Sequence, residues 1–160
     1  MAAAALQLPS PTAHRSPEDH LPDGRPSTYV KLQTWFFVPA AQWKPLSLTA
    51  RAGGVTATAT ATPTLLAFDP GDGAAPVSCV GPGRAWVFGQ DRNFDVAPGG
   101  CSYAYPRSSY GYPGGMVTAR YSITWAIRWA GTGRAAGVLP DVVTTSTAAF
   151  AVAEAQAVVQ

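Results

Sequence analysis

Between Val117 and Trp129 every second residue falls into one of two sets: Tyr121, Ile123, Trp125, Ile127 and Trp129 on one side, and Arg120, Ser122, Thr124, Ala126 and Arg128 on the other. A period of two puts successive side chains on opposite faces of a strand, whereas helical spacing would scatter these aromatics around an axis. Trp125 and Trp129 are therefore expected in the core, since each strand of a sandwich turns one apolar face inward. The chain is committed to an all-β fold.

The same period recurs upstream. Leu32, Thr34, Phe36 and Val38 alternate with Gln33, Trp35 and Phe37, a strand with both faces at least partly covered, and Pro39 ends it. Leu46, Leu48 and Ala50 alternate with Ser47, Thr49 and Arg51, and Gly53-Gly54 then offers a tight turn into Val55 to Thr62. Two alternating runs joined by glycines predict a β-hairpin. Thr64 to Phe68 reads as a short strand ending in a turn at Asp69, Gly71, Asp72 and Gly73. Trp86-Val87-Phe88 reads as a short edge strand inside a loop over 81–100, and Gly131 to Gly137 as a flexible loop. Val142 to Val159 reads as a last strand with room for a bulge. Ala148 to Ala157 also suits a helix, but the β-branched run Val142-Val143-Thr144-Thr145 tips the reading to strand.

Several short strands separated by turn signals predict an antiparallel β-sandwich of about seven strands over residues 29–160. Residues 1–28 differ. They carry Pro9, Pro11, Pro17, Pro22 and Pro26 among polar and charged residues with no apolar period, and predict a disordered tail.

Cys79 and Cys101 are the only cysteines. They flank predicted strands and have no nearby histidine with which to form a metal site or a catalytic pair, so they predict one disulfide rather than two buried thiols. Such a bridge closes a loop of roughly 23 residues and adds about 3 kcal/mol by restricting the unfolded chain. It also points to an oxidising compartment.

Charged residues are only 12% of the 160, and nine of the eleven basic ones are Arg, with Lys31 and Lys44 the exceptions. That bias fits a GC-rich bacterial genome. A net charge of +2 with scattered arginines gives no footprint for nucleic acid. No run approaches the roughly 18 to 20 apolar residues of a membrane-spanning helix. Ala2 to Ala5 and Leu6 make too short an apolar run for a signal peptide and have no basic residue before them, so an exported protein would need a natural start other than Met1.

The order of FDPGDG (68–73), CSYAY (101–105) and PGGMVTARYSITW (113–125) resembles a PKD-type domain, an immunoglobulin-like sandwich with the pattern W-D-F-G-D-G, H-x-Y and P-G-x-Y-x-V. Phe68 stands where the family has Trp, Pro70 replaces Phe, and Asp69, Gly71, Asp72 and Gly73 match. Tyr103 or Tyr105 takes the place of the family tyrosine, and Met116 that of the later aromatic. From Thr34 onward the chain also resembles secreted actinobacterial proteins with one Cys pair and Trp-rich last strands. The first resemblance implies an immunoglobulin-like sandwich, and the second an extracellular or cell-envelope protein without assigning an activity.

Catalytic chemistry finds few candidates. His14 and His20 both fall in the predicted tail, which leaves no Ser-His or Cys-His dyad on the folded part. A P-loop and a zinc-ligand cluster are absent from the sequence. Asp69 and Asp72 are too few for calcium and suit the capping of their own turns. Asp91 and Asp95 could imitate a glycosidase pair, but read as surface acids. The expectation is a protein with no enzymatic activity, cofactor or metal. Its candidate binding residues are Tyr103, Tyr105, Tyr110, Tyr112 and Trp86, whose flat rings suit sugar stacking or protein contact. A packed role for Tyr103 and Tyr105, one of them in a tyrosine corner, would leave only Tyr110 and Tyr112 exposed. The expected function is protein–protein or structural contact, with cell-wall glycan binding as the alternative.

Overall fold

The structure, a computed structural model, describes residues 7–92 and 94–154. Ten strands follow in chain order: β1 (His14–Ser16), β2 (Asp19–His20), β3 (Pro26–Tyr29), β4 (Gln33–Phe37), β5 (Leu46–Ala52), β6 (Val55–Asp69), β7 (Val77–Cys79), β8 (Ser102–Ala104), β9 (Val117–Gly131) and β10 (Ala136–Ala153). They form a sandwich. One sheet has the order β1-β4-β8, and the other β2-β3-β10-β9-β6-β5, with β7 beside β6. Every pairing is antiparallel except that of β3 with β10.

The alternating face of β9 supplies the middle of the core. Tyr121, Ile123, Trp125 and Ile127 are buried beside Leu66 and Phe68 of β6 and Phe150 of β10. From the small sheet Phe36 stacks on Phe68 with ring centroids 4.6 Å apart and meets Tyr121 edge-on, an arrangement that aligns ring edges with ring faces. Trp125 is buried as the pattern requires, but Trp129 is only half-buried, because the second layer ends before it.

Three differences from the sequence reading have physical causes. First, from residue 14 onward the predicted tail is built into the body. β1 pairs with β4, β3 adds to the end of β10, and Ser27 and Thr28 are fully buried. Strand addition draws on backbone hydrogen bonds rather than an apolar period, so it leaves no periodic signal in the sequence. Residues 1–6 of that tail lie outside the described residues. Second, Val55 to Thr62 and Thr64 to Phe68 are one strand. Pro63 sits at a register shift against β9 and in the gap between β5 and β7 on the other edge, where an absent N–H breaks no ladder bond. With β1, β2, β3, β7 and β8 added, this merger and the loss of the strand at 86–88 leave ten strands where about seven were expected. Third, β10 begins at Ala136 rather than Val142 and carries a bulge between Leu139 and Val142. The loop expected over 131–137 is accordingly a short turn over Thr132–Arg134. Residues 155–159 of the expected last strand lie outside the described residues.

Candidate contact surfaces

Cys79 closes β7 and Cys101 precedes β8, and the two form a disulfide with Cα atoms 5.3 Å apart. The bridge ties the large sheet to the small one. Its loop folds over the outer face of β4, where Trp35 donates its indole N–H to the carbonyl of Asp95 at 2.9 Å and Arg84 lies 5.0 Å over the same ring.

Arg84 also donates through both terminal nitrogens to the two carboxylate oxygens of Asp91 at 2.8 Å, and the Val87 amide adds a third bond at 2.7 Å. Donation from Arg84 is the main cause holding the Asp91 carboxyl down at about 2. Asp95 meanwhile accepts from the Arg92 amide at 3.0 Å. Asp91 is thus an ionised anchor, unsuited to the proton donation a glycosidase acid must perform. The predicted edge strand at 86–88 reduces to one bridge between Phe88 and Asp91. The pinned loop exposes Val80, Val87, Phe88, Phe94 and Val96, and Phe94 holds a left-handed φ of 69°, uncommon for an aromatic residue.

The tyrosines do not share one surface. Tyr105 is 1% exposed and donates to the carbonyl of Pro70 at 2.8 Å. Tyr103 donates to Asp72 at 2.6 Å and meets Tyr105 edge-on. Burial pushes both phenols well above their ordinary range. Tyr105 has no surface with which to bind and leaves the candidate set. Tyr103 and Tyr112 line one hollow with Arg107, Tyr110 lines a second with Arg25, and Trp86 lines a third with Phe94. Tyr110 alone is fully presented, at 92% exposure.

Asp69 and Asp72 each accept the backbone N–H two residues on, at 3.0 Å. Gly71 has φ of 76°, and a Cβ there would overlap the carbonyl of Thr118, so this turn presses directly on β9. Among the described residues no group of three or more His, Cys, Asp or Glu is placed to hold a metal.

A further exposed feature is one the sequence reading divided among a hairpin, a long strand, a loop and a last strand. β5, the first half of β6, the last residues of β9 and the first half of β10 form a four-stranded sheet, an arm with one face open to solvent and Ala59, Ala61 and Ile127 buried on the other. One face carries Leu46, Leu48, Trp129 and Leu139, and the other a hydroxyl ladder in which Ser47 bonds Thr60 at 3.0 Å and Thr49 bonds Thr58 at 2.8 Å. Among the described residues no strand pairs with the outer edge of β5, nor with β10 before Ala151. Alternation in Leu46 to Arg51 and Val55 to Thr62 signalled the strands. The open outer edges of β5 and β10 left no mark in the sequence.

No protein-family model matches the chain, and no curated protein or solved structure matches it significantly.

Proposed function

We propose that this chain is a noncatalytic module of the extracellular space or cell envelope, of PKD-like type, that works by protein–protein contact. The observation that carries the reading is the arm. β5 is exposed along nearly its whole length, and two open edges invite pairing, which monomeric proteins ordinarily blunt or cover. Keeping such an element has a purpose if a protein partner completes it by strand addition. The disulfide supports an oxidising compartment.

Wall-glycan binding is the second reading and rests on Tyr110, whose ring stands open to stacking, with the half-exposed Tyr112 beside it. A photo-crosslinking residue placed at Leu48 in one variant and at Tyr110 in another, each incubated with the envelope fraction of the producing cells, separates the two. Protein contact predicts protein adducts from position 48. Their absence, together with wall retention that is lost in Tyr110→Ala, would overturn it in favour of glycan binding.

A further inference from the structure

The two open edges of the arm are complementary. β5 runs antiparallel to β6, β6 to β9 and β9 to β10, so β5 and β10 themselves run in opposite directions. If the β10 edge of one copy met the β5 edge of another, the sheet would continue as an antiparallel ladder.

Register across the arm sets the details. Leu46 is level with Ala61, Ile127 and Leu139, while Leu48 is level with Ala59, Trp129 and Gly137. Translating one copy onto the next puts Leu139 beside Leu46 with the pleat in phase, so the apolar face joins an apolar face. The pairing is bounded. Pro140, at the bulge, has no N–H to offer, and the turn over Thr132–Arg134 closes the other end.

Charge agrees with this register. Asp141, at the bulge, is the acid of the arm, and it falls level with the Lys44-Pro45 step that leads into β5. Both residues are exposed, and neither has an ion-pair partner among the described residues. Pairing β5 with a second β5 about a two-fold axis keeps the pleat in phase only when centred on a residue; on Leu48 it sets Leu46 against Ala50 and Lys44 against Ala52, so it matches neither leucine to leucine nor Lys44 to an acid.

Building on the contact reading above, we propose that the partner of the arm is a second copy of this chain, joined head to tail through β10 of one copy and β5 of the next. The contact is heterologous and does not close on itself, so it propagates. Sheet twist of roughly 20–25° per strand turns each copy by about 90° across four strands, which swings successive sandwich bodies apart. The product is an open helical array with the arms along its axis.

Sedimentation velocity on the full, oxidised chain tests this with four proteins: wild type, Lys44→Glu, Asp141→Lys and the double exchange. The wild type should grow beyond a dimer with concentration, each single reversal should weaken association by about tenfold, and the double exchange should restore it. A wild type that stays monomeric at every concentration overturns self-assembly, while crosslinks from position 48 to another protein would still uphold the contact reading. Association that is indifferent to Lys44→Glu overturns the β5–β10 register, since pairing through β10 alone would give that result.

Discussion

The indole of Trp129 lies so close to the backbone of Gly137 on the neighbouring strand that a Cβ at residue 137 would fall 2.6 Å from its Nε1. Glycine is what lets this ring lie flat across β10 and hold the end of the arm. Replacing Gly137 by Ala should lift the ring, shift the Trp129 indole N–H signal in a 1H–15N spectrum and cost about 1 kcal/mol, the low end for overpacking because the site is half exposed. An unshifted indole signal with unchanged stability would show that the ring does not rest there.

Breaking the bridge with Cys79→Ala and Cys101→Ala should lower stability by about 3 kcal/mol, as expected for a loop of roughly 23 residues. Urea denaturation of the two forms measures it. The loss should appear with β7 and β8 loosening together, because the bridge joins the last residue of β7 to the residue before β8.

The loop anchor is acid-sensitive. The Asp91 carboxyl sits at about 2 in the folded chain, depressed from an ordinary value of 3.8. A depressed carboxyl contributes stability that is fully present above its unfolded value and lost as pH falls through its folded one. The Arg84 contact should therefore hold above pH of about 4 and fail toward about 2. Trp86, whose indole N–H donates to the Arg92 carbonyl, reports the change in its N–H signal. In Asp91→Asn that signal should already resemble the acid form at neutral pH.

How far the sequence disclosed this molecule depended on which force formed each part. β9 and the β5–β6 hairpin were legible because their side chains alternate, and the Cys79–Cys101 bridge because no other chemistry suited two cysteines. β1 and β3 were not legible. They are held by backbone pairing and by buried polar contacts such as Thr28 with Thr34 at 2.6 Å and the Tyr121 hydroxyl with the His14 carbonyl at 2.7 Å. Of the five aromatics read as one binding region, Tyr103 and Tyr112 share one hollow, Tyr110 and Trp86 line two others, and Tyr105 is spent on the Pro70 turn. Phe88 and Phe94, among the most exposed rings, escaped notice because nothing in their local pattern shows which way a pinned loop turns its side chains.

Tyr105→Phe should cost about 1–3 kcal/mol, because it leaves the Pro70 carbonyl without its donor inside the core. Alkaline titration adds a second check. The phenols of Tyr103, Tyr105 and Tyr121 are all raised, chiefly by burial, so the stability that depends on their neutral forms is present below their ordinary value of 10.0 and lost as pH rises through the folded values. Absorbance of phenolate should therefore lag for these three and rise together with unfolding. A smooth titration of every tyrosine before unfolding would mean that they are not packed as described.

Amide hydrogen exchange along the arm tests the central claim most directly. Followed from dilute to concentrated protein, the outward amides over 46–49 and 136–139 should exchange fast when dilute and slow together as concentration rises, with the Arg84–Asp91 loop and Tyr110 unchanged. Exchange at both edges that stays fast at every concentration, and on addition of the envelope fraction as well, would contradict the arm as a contact surface.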